Sequence, residues 1–358
     1  MENENLKIEN DSASAENVPP AYGNDDIVLD VENLVVHYVL EEATVEAVNG
    51  LSFSLKKGQT LGLVGETGAG KTSTALAILN LIPTPPGVIK GGDINVCGSK
   101  VLEMSPKQLE TVRGKDISMI FQDPMTALNP VMTVGEQIAE SIKIHEGLHL
   151  KEAHDKAVEM LELVGIPGQR SVEYPHQFSG GMKQRVVIAI ALACRPKVLL
   201  ADEPTTALDV TIQAQVLDMM KDLRDQFGTA LLMITHDLGV VAKTCDTVAV
   251  MYAGKIVEYG TLRDVFNTPK HPYTEGLFNS LPNIKDKKSE LKPIPGLMPD
   301  PTKLPVGCAF APRCQYAIDA CGEPCAMRSV SDTHSLLCTR YNDPDFHIEL
   351  KRGRRENG

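Results

Sequence analysis

The stretch from Thr60 to Leu79, TLGLVGETGAGKTSTALAIL, decides the fold of this chain. An apolar run, Leu61 to Val64, leads into GETGAGKT at residues 65–72, and an Ala- and Leu-rich segment follows. This is the pattern G-x-x-x-x-G-K-[ST] in the strand–loop–helix context that it requires. The glycines let successive backbone N–H groups converge on a β-phosphate, Lys71 reaches the β and γ oxygens, and Thr72 offers its hydroxyl to Mg²⁺. A glycine-rich turn without a ligand is the alternative, and the intact motif favours a phosphate-binding loop.

A second motif supplies carboxylates for the same chemistry. In KVLLADEPTTALD the apolar run Val198 to Ala201 predicts a buried strand that ends on Asp202 and Glu203. Strand ends are where a parallel sheet presents its ligands, so Asp202 is expected in the Mg²⁺ shell and Glu203 as the base for water. Two adjacent buried carboxylates are costly without a cation. Solvated acids are the alternative, which the Lys71 loop disfavours.

Three single residues and a second glycine-rich segment are further candidates for the phosphate site. Gln122 ends the apolar run ISMIF, His236 follows ALLMIT, and Tyr38 lies near the end of the first strand-like run, where it can stack on adenine. Taken alone, each is ambiguous, because a single Tyr or His at a strand end is more often a structural residue. FSGGM, residues 178–182, has the form of a helix start with Ser179 as N-cap, which is a place where proteins bind anions.

Composition and charge exclude several classes of protein. The 358 residues are 42% hydrophobic and 23% charged, as in a globular protein with one large and one smaller domain. No apolar run approaches a membrane span, and the acidic N-terminus does not resemble a secretory signal, so a cytosolic protein with reduced thiols is expected. The formal net charge of −12 argues against nucleic acid as the main partner. Seven acidic residues and one lysine in residues 1–26 predict a disordered acidic tail.

Over about residues 28–270 the chain resembles the ATP-binding subunits of ABC transporters. The resemblance rests on seven features in this order: Tyr38, GETGAGKT, Gln122, FSGGM, VLLADEP, ALD and His236. The resemblance implies an α/β fold: a P-loop ABC ATPase domain at 27–265, with a mixed sheet core and a helical subdomain at about 129–185. It also implies that Glu203 is the catalytic glutamate and His236 the switch histidine. The expected catalytic residues are Lys71, Glu203 and His236; the expected Mg²⁺ contacts are Thr72, Gln122 and Asp202; the expected ATP contacts are Tyr38, Gly65, Glu66, Thr67, Gly68, Ala69, Gly70, Lys71, Thr72, Ser73, Gln122, Asp202, Ser179, Gly180, Gly181 and Asp209.

The same resemblance explains why one chain carries two anion sites. In the family two domains dimerise head to tail, and the signature of one closes over the γ-phosphate held by the other. Ser179, Gly180 and Gly181 are therefore expected to bind a partner's ATP, and Asp209 to link the two sites across the interface. Phe178 and Met182 stand where the general pattern has Leu and Gln. The peptide-importing branch shares that departure.

Beyond Val257 the chain is rich in proline, so long regular elements are not expected. The chain also resembles the ATPase subunits of oligopeptide, dipeptide and nickel importers, and this resemblance extends to about Tyr341. It rests on the segments HPYTEGLFNSLP and PIPGLMPDP and on the earlier QDPMTALNP. We therefore expect a small, irregular, Cys-rich C-terminal extension at 266–341 and a basic tail at 342–358.

Five of the eight cysteines lie in this extension. In a reduced compartment such a cluster indicates a metal, but the spacings lack the C-x-x-C pairs of most structural zinc sites. The resemblance implies a [4Fe-4S] cluster on Cys308, Cys314, Cys321 and Cys338, with Cys325 in surplus. Zinc is the rival interpretation, and a set of reduced cysteines without metal is the third.

The sequence thus predicts an ATP-hydrolysing subunit, peripheral at the cytoplasmic face of the cell membrane, that powers peptide import. Its expected partners are two transmembrane permease subunits, a second related ATPase in a heterodimer rather than a homodimer, an extracytoplasmic substrate-binding protein indirectly, and no nucleic acid. The alternatives are a nickel importer, a soluble ABC ATPase outside transport, and a module that holds ATP without hydrolysing it. The cargo does not follow from the sequence, because ATPase subunits do not touch it.

Overall fold

A computed structural model describes residues 26–206, 208–280 and 293–348. The predicted acidic tail, apart from Asp26, and the last ten residues of the predicted basic tail lie outside these ranges. The strands are β1 (Ile27–Val39), β2 (Thr44–Lys56), β3 (Thr60–Val64), β4 (Gly87–Val96), β5 (Ser99–Lys100), β6 (Ile117–Ile120), β7 (Val198–Asp202), β8 (Ala230–Thr235), β9 (Thr247–Tyr252), β10 (Lys255–Thr261), β11 (Arg328–Ser331) and β12 (His334–Leu336). The helices are α1 (Lys71–Ile78), α2 (Pro106–Val112), α3 (Pro124–Ala127), α4 (Val134–Glu146), α5 (Leu150–Leu163), α6 (Gly180–Leu192), α7 (Val210–Phe227), α8 (Leu238–Thr244), α9 (Leu262–Asn267) and α10 (Pro272–Asn279).

The larger sheet positions the site. Its order is β11-β12-β10-β9-β3-β8-β7-β6, and the strands from β9 to β6 run parallel. Every residue of β3, β7 and β8 is buried, as expected for parallel strands covered on both faces. The carboxyl ends of β3, β7 and β8 therefore lie side by side at one edge, where α/β proteins bind their ligands.

A smaller antiparallel sheet, with the order β2-β1-β4-β5, covers one face of the larger sheet. Apolar residues of both sheets and of α1 form one hydrophobic cluster, which includes Leu29, Leu55, Leu63 and Ile78. The other face of the larger sheet contributes to a second cluster with the remaining longer helices. The mixed α/β architecture expected from the sequence is confirmed.

Helices α4, α5 and α6 pack together in the second cluster through residues such as Ile138, Ile142, Leu161 and Val186. Thr133 and Glu136 form a capping box at the start of α4, and Gly147 ends it with φ of 67°. These helices occupy the segment where a helical subdomain was expected, although α6 continues to Leu192. The domain boundaries stay a prediction.

The C-terminal extension is joined to the larger sheet. Strand β12 pairs with β10, with Gly260 opposite His334, and β11 pairs with β12. Glu258 of β10 has no exposed surface and lies 2.7 Å from His334 Nε2, while the backbone N–H groups of Lys270 and His271 donate to it. The extension has short elements, as its prolines predict, but part of it continues the ATPase sheet.

Within the described ranges, none of the helices has both the length and the apolar character that a membrane span needs.

Candidate functional site

Residues 65–70 join β3 to α1 and form the phosphate-binding loop expected from the sequence. A Cβ atom on Gly65 would lie 2.2 Å from the Met251 carbonyl oxygen, and one on Gly70 would lie 2.2 Å from the Ala47 carbonyl oxygen. Gly70 also has φ of 103°, which side chains rarely allow. The loop therefore needs glycine at both positions to run this close to its neighbours.

Lys71, the first residue of α1, is buried inside the loop. Its ammonium group donates to the carbonyl oxygens of Gly65 at 2.7 Å and Glu66 at 3.0 Å. Burial lowers the pKa of Lys71, and the carboxylates of Glu203, Asp202 and Glu66 oppose that shift. An ammonium surrounded by loop carbonyls is placed to meet phosphate oxygens.

Asp202 ends β7 and is 2% exposed. Burial raises the pKa of its carboxyl group, and a hydrogen bond from Thr72 opposes that rise. The contact brings together a hydroxyl and a carboxylate, two of the oxygen ligands that Mg²⁺ prefers, beside Lys71.

Glu203 gathers side chains from three places in the chain. Gln122 Nε2 donates to Glu203 Oε2 at 3.0 Å, Thr206 donates to the same oxygen at 2.9 Å, and His236 Nδ1 lies 2.8 Å from Oε1. Burial by itself raises the pKa of Glu203, but the hydrogen bonds to His236 and Thr206 and the charge of Lys71 outweigh it and lower the pKa. Glu203 is therefore an oriented carboxylate.

The backbone of Glu203 is also unusual. Its φ is 47°, in the left-handed region that a non-glycine residue enters at a cost of about 1–3 kcal/mol. The Glu203 N–H donates to the Ile234 carbonyl of β8, which holds this conformation. Such strain is typical of functional sites.

The second glycine-rich segment starts α6. Ser179 is the N-cap and accepts a hydrogen bond from Met182 N–H, and both Ser179 and Gly180 are exposed. A Cβ atom on Gly181 would lie 2.6 Å from Ile212 Cγ2 of α7. The start of α6 thus presents free space beyond Gly180 while Gly181 allows close packing with α7.

Asp209 caps α7, where its Oδ1 accepts from the N–H groups of Thr211 and Ile212. Tyr38 lies at the end of β1, and its hydroxyl is 3.2 Å from Ser73 Oγ of α1. Tyr38 therefore stands beside the helix that follows the loop. The structure brings Thr72 to Asp202 and brings Gln122 and His236 to Glu203. The contacts of Ser179 and Asp209 described above are with their own helices and not with the loop. The individual roles assigned from the sequence stay predictions.

Two residues that the sequence analysis missed contact the loop. Arg313 pairs with the Glu66 carboxylate, and the Tyr273 hydroxyl accepts a hydrogen bond from Glu66 N–H at 2.9 Å. Arg313 stands 247 positions from Glu66, and neither contact has a local sequence signal. Thr206 was also missed, although it lies inside the quoted motif.

The four cysteines of the expected cluster line one small cavity, together with His271, Phe310 and Arg340. Burial raises the pKa of Cys308, raises that of Cys314 to about 11 and raises that of Cys338 to about 12. Arg340 Nε and Thr339 Oγ1, whose residues also line the cavity, are buried without a hydrogen-bond partner among the described residues. Cys325 lies outside this lining.

In the part of the chain that the structure describes, no three His, Cys, Asp or Glu side chains are placed to hold a metal ion. The expected iron–sulfur cluster is therefore not supported by a ligand set of that kind. What the structure does provide is a convergence of thiols and unpaired polar groups on one cavity.

Two family profiles match this chain. The ABC transporter profile matches residues 48–206, and the profile described as "Oligopeptide/dipeptide transporter, C-terminal region" matches residues 257–321. The chain is 54% identical over 312 residues to the oligopeptide transport ATP-binding protein OppD of Bacillus subtilis (strain 168), covering 86% of this chain and 87% of that one. It is 48% identical over 326 residues to the dipeptide transport ATP-binding protein DppD of the same strain, and the match covers 90% of this chain and 97% of that one.

Solved structures agree in fold. The ATP-binding cassette MJ0796, solved as a dimer in a post-hydrolysis state bound to ADP and Pi, is 26% identical with a TM-score of 0.59. The match covers 66% of this chain and 99% of that chain.

Proposed function

Because the chain belongs to the ABC transporter ATPases that carry an oligopeptide/dipeptide transporter C-terminal region, we propose that it hydrolyses ATP to energise peptide import through separate permease subunits. The observation that carries the peptide part is the match of residues 257–321 to the oligopeptide/dipeptide transporter C-terminal region. Relatives named for oligopeptide and dipeptide transport match 86% and 90% of the chain. Mg²⁺ and ATP are the expected cofactor and substrate.

The geometry supports a direct attack of water on the γ-phosphate. Lys71 and the loop N–H groups hold the phosphates, and Thr72 and Asp202 are the residues that would hold Mg²⁺, which neutralises charge on the phosphates when bound. Glu203 orients a water molecule and accepts one of its protons as the water oxygen bonds to the γ-phosphorus. The bond from that phosphorus to the β–γ bridging oxygen breaks, and ADP leaves with the bonding electron pair. His236 and Gln122 keep the Glu203 carboxylate in place through the hydrogen bonds described above.

We further propose that the chain is peripheral at the cytoplasmic face of the membrane, bound to two permease subunits and paired with a second, related ATPase. The exposed Ser179 and Gly180 support the pairing, because an anion site at a helix start that faces solvent is available to a nucleotide held by another subunit. A substrate-binding protein outside the membrane would deliver cargo to the permease without contacting this chain.

For the cysteine cavity we propose a [4Fe-4S] cluster on Cys308, Cys314, Cys321 and Cys338, which would link loop segments of the extension when bound. The four thiols favour it because they line one cavity, although they are not already placed as a metal-ligand set, and Arg340 Nε, which has no hydrogen-bond partner among the described residues, is a donor suited to anionic sulfur. Iron and acid-labile sulfide in equal amounts after anaerobic purification, lost in Cys314→Ser and kept in Cys325→Ser, are the expected result. Zinc without sulfide would establish the rival, and no bound metal would reject both.

Uptake by cells tests the transport function. We would measure uptake of labelled dipeptides, pentapeptides and nickel in cells whose chromosomal copy carries Lys71→Ala. The control is Lys100→Ala, which removes an exposed lysine from a surface pair with Glu103. Selective loss of peptide uptake in Lys71→Ala alone is expected.

The other outcomes are equally informative. Selective loss of nickel uptake would replace the peptide proposal with nickel import. If all uptake rates in Lys71→Ala cells equalled those of the control, a transport role for these cargoes would be wrong and a soluble ABC ATPase would be favoured.

A further inference from the structure

The C-terminal extension touches the phosphate-binding loop through one ion pair. Arg313 Nη1 donates to Glu66 Oε2 at 2.7 Å, and Nη2 donates to Oε1 at 3.2 Å. Two parallel charge-assisted bonds fix both the distance and the orientation of the two groups. The Arg313 side chain is 6% exposed, so water screens this pair less than it screens an ordinary surface pair.

Arg313 is itself held by the extension and by the sheet. Its Nε donates to the Pro295 carbonyl at 2.9 Å, and its Nη1 also donates to the Tyr252 hydroxyl at 3.3 Å. The guanidinium carbon lies 6.0 Å from the centre of the Phe310 ring. Because Tyr252 ends β9, next to β3, the guanidinium spans the sheet, the extension and the loop.

The loop backbone has a second anchor from the same region. Tyr273 of α10 is 0% exposed, and its hydroxyl accepts the hydrogen bond from Glu66 N–H. Its ring packs against Tyr252 and Phe310. Glu66 is therefore held at its backbone and at its carboxylate by two residues that lie outside the matched ATPase segment, residues 48–206.

The charge of Glu66 matters to a bound phosphate. Its carboxylate acts on the Lys71 ammonium, whose pKa it raises against the effect of burial. A carboxylate close enough to act on the phosphate-binding lysine also repels ATP unless a cation compensates it. Arg313 supplies that cation.

We propose that Arg313 and Tyr273 of the C-terminal extension are positioning residues that hold Glu66, and with it the phosphate-binding loop, in the form that binds ATP. Arg313 acts by fixing the loop and by neutralising Glu66, and Tyr273 acts by fixing the backbone. Ordering the loop before ATP arrives removes a conformational entropy cost from binding. This inference rests on the proposed ATP site at residues 65–72.

The test is equilibrium binding of Mg-ATP to the purified full chain, in a Glu203→Gln background that limits hydrolysis. Arg313→Met is expected to raise the Kd about tenfold, the change that corresponds to losing one charge-assisted hydrogen bond. Tyr273→Phe is expected to raise it about threefold, as for a neutral hydrogen bond. Arg328→Met is the matched control, because Arg328 belongs to the same extension but bonds to Tyr341 and Asn342.

A double variant separates positioning from mere packing. If Arg313 neutralises Glu66, then Glu66→Gln removes the charge that Arg313→Met leaves unpaired. The Kd of Glu66→Gln/Arg313→Met should then be about threefold or more below that of Arg313→Met alone. If Arg313 had only a structural role, the Kd of the double variant would be no lower than that of Arg313→Met.

Three results would overturn the inference: an Arg313→Met chain whose Kd stays within about twofold of the background, a double variant without recovery, or an equal rise in Arg328→Met. Should Arg313→Met fail to fold, Arg313→Gln removes the charge but keeps a side-chain amide donor, and a Kd within about twofold of the background there has the same meaning. If the Glu203→Gln chain itself binds no ATP while folded, the proposed ATP site fails instead.

Discussion

Glu203 is the residue around which the hydrolytic part of the site is organised. Its carboxylate contacts side chains that follow β6, β7 and β8, so three adjacent strand ends fix one group. Its left-handed backbone is held by the sheet. An acid oriented this fully is suited to hold a water molecule at one angle to a phosphate.

Replacing Glu203 with Gln keeps the shape of the side chain and removes its basicity. We expect the ATPase rate to fall about 100-fold or more, since positioned bases contribute about that much, while the Kd for ATP changes little. Steady-state phosphate release and equilibrium ATP binding are the measurements. Glu103→Gln, at an exposed surface pair, is the control. If Glu203→Gln hydrolysed ATP as fast as this control, Glu203 would have no catalytic role.

The pH dependence of hydrolysis tests the contact between His236 and Glu203. The hydrogen bond to His236 is one of the interactions that lower the pKa of Glu203, and burial opposes them. His236→Ala should therefore let the pKa of Glu203 rise, so the carboxylate becomes protonated at a higher pH. The acid side of the residual pH–rate profile should move to higher pH than in the unchanged chain. An acid limb that stays in place would show that another group controls it.

At the scale of elements, Asp209 caps the N-terminus of helix α7. Asp209 satisfies two of the N–H groups that begin this 18-residue helix. Asp209→Ala should lower the free energy of unfolding by about 1 kcal/mol, the usual loss for a cap, measured by urea denaturation. Asp209→Asn should keep the stability, because Asn caps helices about as well as Asp.

The same pair of variants tests the role proposed for Asp209 between subunits. If the charge of Asp209 also links two ATP sites, Asp209→Asn should lose ATPase activity without losing stability. Equal stability together with equal activity would leave Asp209 as a helix cap only.

The strands that join the extension to the sheet depend on a buried pair. Glu258 is 0% exposed and His334 is 3% exposed, so the pair is shielded from water. His334→Ala leaves the carboxylate buried without its side-chain partner, and the free energy of unfolding should fall by about 3 kcal/mol. Thermal and urea unfolding measure it, and Ser331→Ala, at an exposed position of β11, should change it by less than about 0.5 kcal/mol. A loss in His334→Ala no larger than in that control would mean that the backbone donors of Lys270 and His271 suffice.

The elements also show which features a sequence reveals. Strands β3, β7 and β8 were predictable because parallel strands have continuous apolar runs, and their ends carry the motifs. Strands β11 and β12 were not, because RSVS and HSL are short and lack an apolar alternation. The contacts of Arg313 with Glu66 depend on how the extension docks on the sheet, and no local pattern encodes docking.

For the whole molecule, the arrangement of two anion sites in one chain decides how it assembles. One site is the loop around Lys71, and the other is the exposed helix start at Ser179 and Gly180. We propose that a second subunit completes each site, so ATP lies between subunits and holds them together. The subunit interface should then form only with nucleotide bound.

Co-purification tests which subunit completes the sites. A tagged Glu203→Gln chain, isolated with ATP from the membrane-free fraction of cells that also express an untagged copy, should retain a different ABC ATPase with its own P-loop and signature rather than the untagged copy. Ser179→Arg should abolish this retention, because the larger side chain occupies the space needed by the partner's γ-phosphate. Thr111→Arg, at an exposed position of α2, should not abolish it.

Retention of the untagged copy alone would establish a homodimer, and retention that does not depend on ATP or on Ser179 would place the interface elsewhere. Both of these results differ from the ATP-dependent retention of a different ATPase that the proposed heterodimer predicts.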